Sequence, residues 1–148
     1  MEAAATPLRG LEANYSFGYT DAAYTSLKVP DDGSEADLKG HKQIFTPDVT
    51  SLLALQYSYR LSSANDWQLV VRGEWMYVGK QYFDLKNTLD QEGYHLLNTR
   101  AGLVSRHIDI LFWMRNITDR RYIAYAYDFG AVHLGNPRML GITLAGRL

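Results

Sequence analysis

From Leu11 to Thr20 the chain alternates without a break: Leu11, Ala13, Tyr15, Phe17 and Tyr19 fall on one side, Glu12, Asn14, Ser16, Gly18 and Thr20 on the other. Successive side chains of an extended backbone point to opposite faces, so a period of two predicts a strand. The pattern returns five times. From about Val49 to Leu61, Val49, Leu53, Leu55, Tyr57, Tyr59 and Leu61 oppose Thr50, Gln56, Ser58 and Arg60, with Leu52 and Ala54 blurring the polar side. The next strand sets Trp67, Leu69, Val71, Trp75 and Tyr77 against Gln68, Arg72 and Glu74. From Tyr94 to Ser105, Leu97, Ala101 and Leu103 oppose Asn98 and Arg100; a turn at Arg106-His107 then leads to Ile108, Ile110, Phe112 and Met114 opposite Asp109 and Arg115. The last strand sets Leu140, Ile142, Leu144 and Leu148 against Gly141, Thr143, Ala145 and Arg147.

The predicted fold is all-β, an antiparallel meander of about six long strands. Its connections alternate in length. Asp21 to Thr46, Lys80 to Gly93 and Phe129 to Asn136 are long, polar and rich in turn formers, whereas Ser62 to Asp66 and Arg106-His107 are short. Long loops on one side and short turns on the other are the pattern of a membrane β-barrel. The strand lengths agree, being near the roughly 9 to 11 residues that cross a bilayer at a tilt rather than the five or six usual in soluble sheets. Aromatic rings gather at both strand ends: Tyr57, Tyr59 and Trp67 by the first short turn, and Tyr19, Tyr77, Tyr82 and Phe83 toward the long loops. Amphipathic rings favour the two membrane interfaces. A small soluble antiparallel β-barrel binding a hydrophobic ligand would show the same period with the faces reversed.

Composition narrows the function. The 148 residues carry 15 basic and 16 acidic side chains, a net charge of -1, so no positive field gathers nucleic acid. No cysteine is present, which removes disulfides and thiolate chemistry. Residues Met1 to Pro7 lack the charged start and apolar stretch of a secretory signal, and no apolar run approaches the roughly 18 residues of a spanning helix. His41, His95, His107 and His133 are scattered without ligand spacing and are expected to be solvated surface groups. Neither a metal site nor a cofactor site is expected. Inward charges such as Glu12, Arg72, Glu74, Arg100, Asp109 and Arg115 suit a hydrated lumen without any catalysis, so no enzyme is expected.

Two tracts near the end sharpen the picture. Asn116-Ile117-Thr118-Asp119, followed by Tyr122, interrupts a strand with side chains that bond to nearby backbone. Gly135-Asn136-Pro137-Arg138-Met139-Leu140-Gly141 puts a proline at a strand start and a glycine within the strand. In this order and spacing they resemble the C-terminal end of TonB-dependent outer-membrane receptors. Upstream, Asn14 to Ala22 and Gly79 to Asp84 with Asn87 resemble the family's late barrel strands. One departure is Leu148, where the family usually ends on an aromatic residue recognised during barrel assembly.

The resemblance implies that residues 1–148 are the C-terminal part of a barrel of about 22 strands with a plugged lumen. It also implies location in the bacterial outer membrane, contact with its lipid, and uptake of a ferric siderophore, haem or a similarly scarce metal chelate. Energy would come from the TonB complex, engaged through an N-terminal part that this chain lacks. The long loops would face outward, with Tyr82, Phe83, Tyr125 and Tyr127 as ligand contacts. Unpaired strand edges would favour self-association of the isolated chain.

Overall fold

A computed structural model describes residues 1–31, 33–62, 66–127 and 129–146, with the Ser62 side chain left out. Arg147 and Leu148 of the last predicted strand, Asp32 of the first loop and Ser63, Ala64 and Asn65 of the first turn lie outside the described residues. Each of the six predicted strands is present: β2 (Leu11–Tyr19), β5 (Val49–Ser62), β6 (Trp67–Val78), β9 (Tyr94–Val104), β10 (Ile108–Arg115) and β13 (Met139–Gly146). A seventh, β1 (Glu2–Leu8), pairs with β2 at the edge of the sheet. Its alanines occupy both faces and Pro7 coincides with a register shift between Ala5 and Leu8, so neither period nor propensity betrays it. An edge strand tolerates that proline because one of its two hydrogen-bonding sides has no ladder to break.

The seven strands form one antiparallel sheet in the order β1-β2-β5-β6-β9-β10-β13. Register sorts the side chains into two faces. One row across six strands reads Leu11, Tyr57, Val71, Ala101, Phe112 and Ile142, all apolar. The next row, on the opposite face, reads Glu12, Gln56, Arg72, Arg100, Trp113 and Gly141. Among the described residues no element covers the apolar face: Phe112 is 60% exposed and Leu144 72%. The polar face is the more enclosed about the Arg72–Glu74 pair, whose side chains are only 23% and 33% exposed. In water this arrangement would leave the hydrophobic effect unsatisfied, because burial of apolar area is the main favourable term in folding. It is the reverse of what the soluble alternative requires.

Three connections, 20–48, 79–93 and 116–138, leave the sheet at one end, and the short turns 9–10 and 105–107 close the other, where β5 also ends and β6 begins. Each long connection, expected to be a polar loop rich in turn formers, carries a small hairpin. These pair β3 (Lys28–Asp31) with β4 (Ser34–Asp37), β7 (Gln81–Tyr82) with β8 (Asp90–Gln91), and β11 (Ile123–Ala126) with β12 (Val132–Leu134). At the loop end of the apolar face, His95 stacks on Trp75 with ring centroids 5.5 Å apart and lies 4.8 Å from Tyr77. His95 is thus an exposed side chain whose ring packs against two aromatic neighbours.

Candidate functional site

The loop end is tied together from its backbone outward. Asn87, in the left-handed conformation (φ 56°), accepts from the Lys42 N–H at 2.6 Å and donates to the Lys42 carbonyl at 3.0 Å. This reciprocal pair fastens the first connection to the second. Lys86 adds an ion pair to Asp31 at 2.7 Å, and the Phe45 N–H donates to the Tyr82 carbonyl at 2.8 Å. The Gln91 side-chain oxygen accepts from the Ile123 N–H at 2.8 Å and so joins the second connection to the third. Below them Tyr94 stacks on Tyr122 with centroids 4.4 Å apart.

The two tracts near the C-terminus meet in space. Asn116, only 4% exposed, donates from its side-chain amide to the carbonyls of Arg120 and Asn136, each at 2.9 Å, and accepts from the Arg120 N–H at 2.9 Å. Asp119 accepts from the Arg138 N–H at 2.8 Å. Both Asn116 and Asp119 have positive φ, a conformation that Asn and Asp tolerate better than most residues. Gly135 is required by close approach: a Cβ there would stand 1.9 Å from the Tyr122 ring. Gly141 likewise leaves room for Trp113, whose ring would lie 2.4 Å from a Cβ.

The four predicted contact residues fall on two hairpins. Tyr82 is half-buried on β7, with the Lys80 ammonium 5.5 Å from its ring centroid. Phe83 is 4% exposed, with its ring 5.7 Å from that of Phe45, so it packs inside the loop structure rather than facing outward. Tyr125 and Tyr127 are exposed beside β12 and meet edge to face at 5.7 Å. Sequence reasoning missed two neighbours. His133, expected to be a solvated group, stacks parallel to Tyr125 at 4.7 Å, and Phe129 stacks on Tyr127 at 5.1 Å. Pairing of β11 with β12 is what brings His133 opposite Tyr125. Only a signal for that short hairpin could have found it.

Charge at the loop end is organised by pairing. Lys80 bonds Glu92 at 2.6 Å and Asp90 at 3.0 Å, and these carboxylates hold its pKa above the ordinary lysine value. Burial alone would raise the Asp84 carboxyl, but hydrogen bonds from the Leu89 N–H and from Thr88 outweigh it and keep its pKa below the usual range. On the enclosed face a recess of about 380 Å³ is lined by Arg72, Glu74, Asn98, Arg100, Trp113 and Arg115, among others. Arg72 bonds Glu74 at 2.7 Å, Arg100 reaches Gln56 at 3.3 Å, and the Arg115 guanidinium lies 5.4 Å from the Trp113 ring. Such partners offset the cost of partly burying charged groups on this face. No group of three or more His, Cys, Asp or Glu side chains suited to a metal occurs among the described residues.

Three crystal structures share this architecture. The ferric preacinetobactin receptor BauA of Acinetobacter baumannii is 21% identical, with a TM-score of 0.73 over 95% of this chain and 20% of its own. The siderophore receptor PiuA of the same organism is 20% identical, with a TM-score of 0.76 over 95% of this chain and 20% of its own. The ferric yersiniabactin uptake receptor FyuA of Yersinia pestis is also 20% identical, with a TM-score of 0.76 over 97% of this chain and 22% of its own. The chain thus spans about a fifth of the length of these receptors. Residues 3–117, well over half of the chain, match the family described as TonB dependent receptor-like, beta-barrel. With a seven-stranded meander, an exposed apolar face and a matching family profile, the chain belongs to the TonB-dependent receptor β-barrel family.

Proposed function

We propose that residues 1–148 form the C-terminal part of the barrel of an outer-membrane TonB-dependent transporter that imports a ferric siderophore, haem or a similarly scarce chelate. The observation that carries this reading is the apolar face, continuous across the sheet and uncovered among the described residues, which calls for lipid as its solvent. Of the three solved receptors of like fold, two are named for a ferric ligand and one as a siderophore receptor, which supports iron as the cargo. Transport moves such a cargo without making or breaking its bonds, and the TonB complex would engage an N-terminal part outside this chain.

In this reading the loop end faces outward and its aromatic side chains capture the ligand. Tyr125 and Tyr127 are direct contacts, Tyr82 borders the same end, and Phe83 supports the loop from within. The test is uptake of radiolabelled iron by cells in which the complete receptor carrying this segment is the sole route for the supplied ferric siderophore. Import that stops when either the receptor or TonB is deleted is the expected result. Uptake indifferent to both deletions, or a receptor that purifies folded without detergent, would refute the reading.

A further inference from the structure

The short-turn end of the sheet is uneven. The β1-β2 hairpin stops at Arg9 and Gly10, where the Ser58 N–H donates to the Gly10 carbonyl at 2.8 Å, whereas β5 and β6 run on together through the pairs Tyr59-Leu69 and Arg60-Gln68. Gly10, at positive φ (84°), leaves no room for a Cβ against the Ser58 carbonyl, so the turn packs its backbone directly on β5. Beyond Tyr57, which pairs with Leu11 at the start of β2, β5 has no strand on that side among the described residues. The resulting step is a recess of about 540 Å³ lined by Arg9, Tyr57, Tyr59, Arg60 and Gln68, among others.

Two kinds of surface meet there. Tyr57 and Tyr59 belong to the apolar face and are exposed, while Arg60 stands opposite Gln68 on the polar face, so the recess opens at the end of the apolar face with charge beside it. Arg9 and Arg60 are both exposed and form no salt bridge among the described residues, whereas Arg106, on the neighbouring short turn, is paired with Asp66 at 2.6 Å. No carboxylate lines the recess among the described residues. The opposite end differs: the connection 20–48 carries six acidic residues against three lysines, and 79–93 carries three against two.

These features suit one chemistry. A guanidinium offers several fixed donors to the oxygens of a phosphate, and its long stem lies along apolar surface while the charged head stays in water. Tyrosine, with an apolar body and a wet tip, fits the same depth. Cations beside a bilayer attract anionic headgroups. A zwitterionic headgroup would bring its ammonium to a recess without a carboxylate to receive it.

From the step, its charge and its place at the end of the apolar face we infer that this recess binds the phosphate of an anionic phospholipid in the leaflet at the short-turn end. Arg9 and Arg60 hold the phosphate, and Tyr57 and Tyr59 flank the first carbons of the acyl chains. The inference rests on the membrane reading above and is independent of the cargo.

The test titrates the complete receptor in detergent micelles with phosphatidylglycerol and, separately, phosphatidylcholine of identical acyl chains, with bound lipids resolved by native mass spectrometry. The tightest phosphatidylglycerol adduct should have no equal in the phosphatidylcholine series. Arg9→Gln and Arg60→Gln should each weaken it by about 5-fold at low salt, the usual worth of one arginine beside an anionic surface. Arg9→Lys with Arg60→Lys should keep most of the preference, and Arg106→Gln should leave it unchanged. Inorganic phosphate at the lipid's own concentration should not displace the adduct.

Circular dichroism of each variant establishes that the barrel is intact. Equal retention of the two lipids, no loss in the glutamine variants, or displacement by inorganic phosphate overturns the inference. So does a lowered unfolding midpoint in those variants with lipid binding unchanged, which would mean that another part of the receptor fills the recess. Each of these results leaves the transporter reading to the iron-uptake assay, which does not depend on lipid preference.

Discussion

Asn116 shows how one side chain can organise a junction. Its amide is saturated by Arg120 and Asn136, while its own N–H donates to the Asn98 side-chain oxygen at 3.0 Å. Asn116→Ala should therefore leave the part-buried Arg120 N–H and two carbonyls short of partners, a loss of about 1–3 kcal/mol for the group left unsatisfied. A lowered unfolding midpoint of the purified receptor in detergent would register it, and an unchanged midpoint would mean that water replaces the amide. The tract was legible because Asn and Asp are the residues that bond to nearby backbone. That its partner is Asn136, twenty positions away, was not legible, since local composition says nothing about contacts at that separation.

The strands are the elements the alternation describes best. A face that alternates over ten residues with Tyr, Leu and Ile has one stable use, and the observed registers place these side chains together across the sheet. Introducing a charge on that face is the corresponding test. Phe112→Arg, in the middle of β10, should disfavour insertion by about 2–4 kcal/mol if the site lies near the bilayer midplane. The yield of heat-modifiable barrel after refolding into lipid vesicles measures this, and a wild-type yield would count against lipid contact at Phe112. Strand β1 escaped notice because alanine is indifferent between faces and Pro7 argues against a ladder. The loop hairpins escaped because two to four paired residues are too few to establish a period, and turn chemistry alone does not specify which segments pair.

For the whole molecule the decisive property is that the sheet is open. Among the described residues strands β1 and β13 each pair on one side only, which leaves two rows of backbone donors and acceptors and an apolar face without cover. Residues 1–148 produced alone in detergent should therefore associate through those edges. Light scattering across a dilution series should show mass falling with concentration, and a constant monomer mass would disprove edge pairing.

The sequence by itself determined the strand period, the division of residues between two faces and the alternation of long and short connections. Each follows from local pleat geometry and turn chemistry. Only the tertiary structure decided which face stands open, which loops are tied together, and that Tyr125, Tyr127, Phe129 and His133 form one ladder. A period of two is unchanged when the two faces are exchanged, so burial alone breaks that symmetry. The loop contacts join residues as far apart as Asp31 and Lys86, which the pairing of the strands between them brings to one end of the sheet.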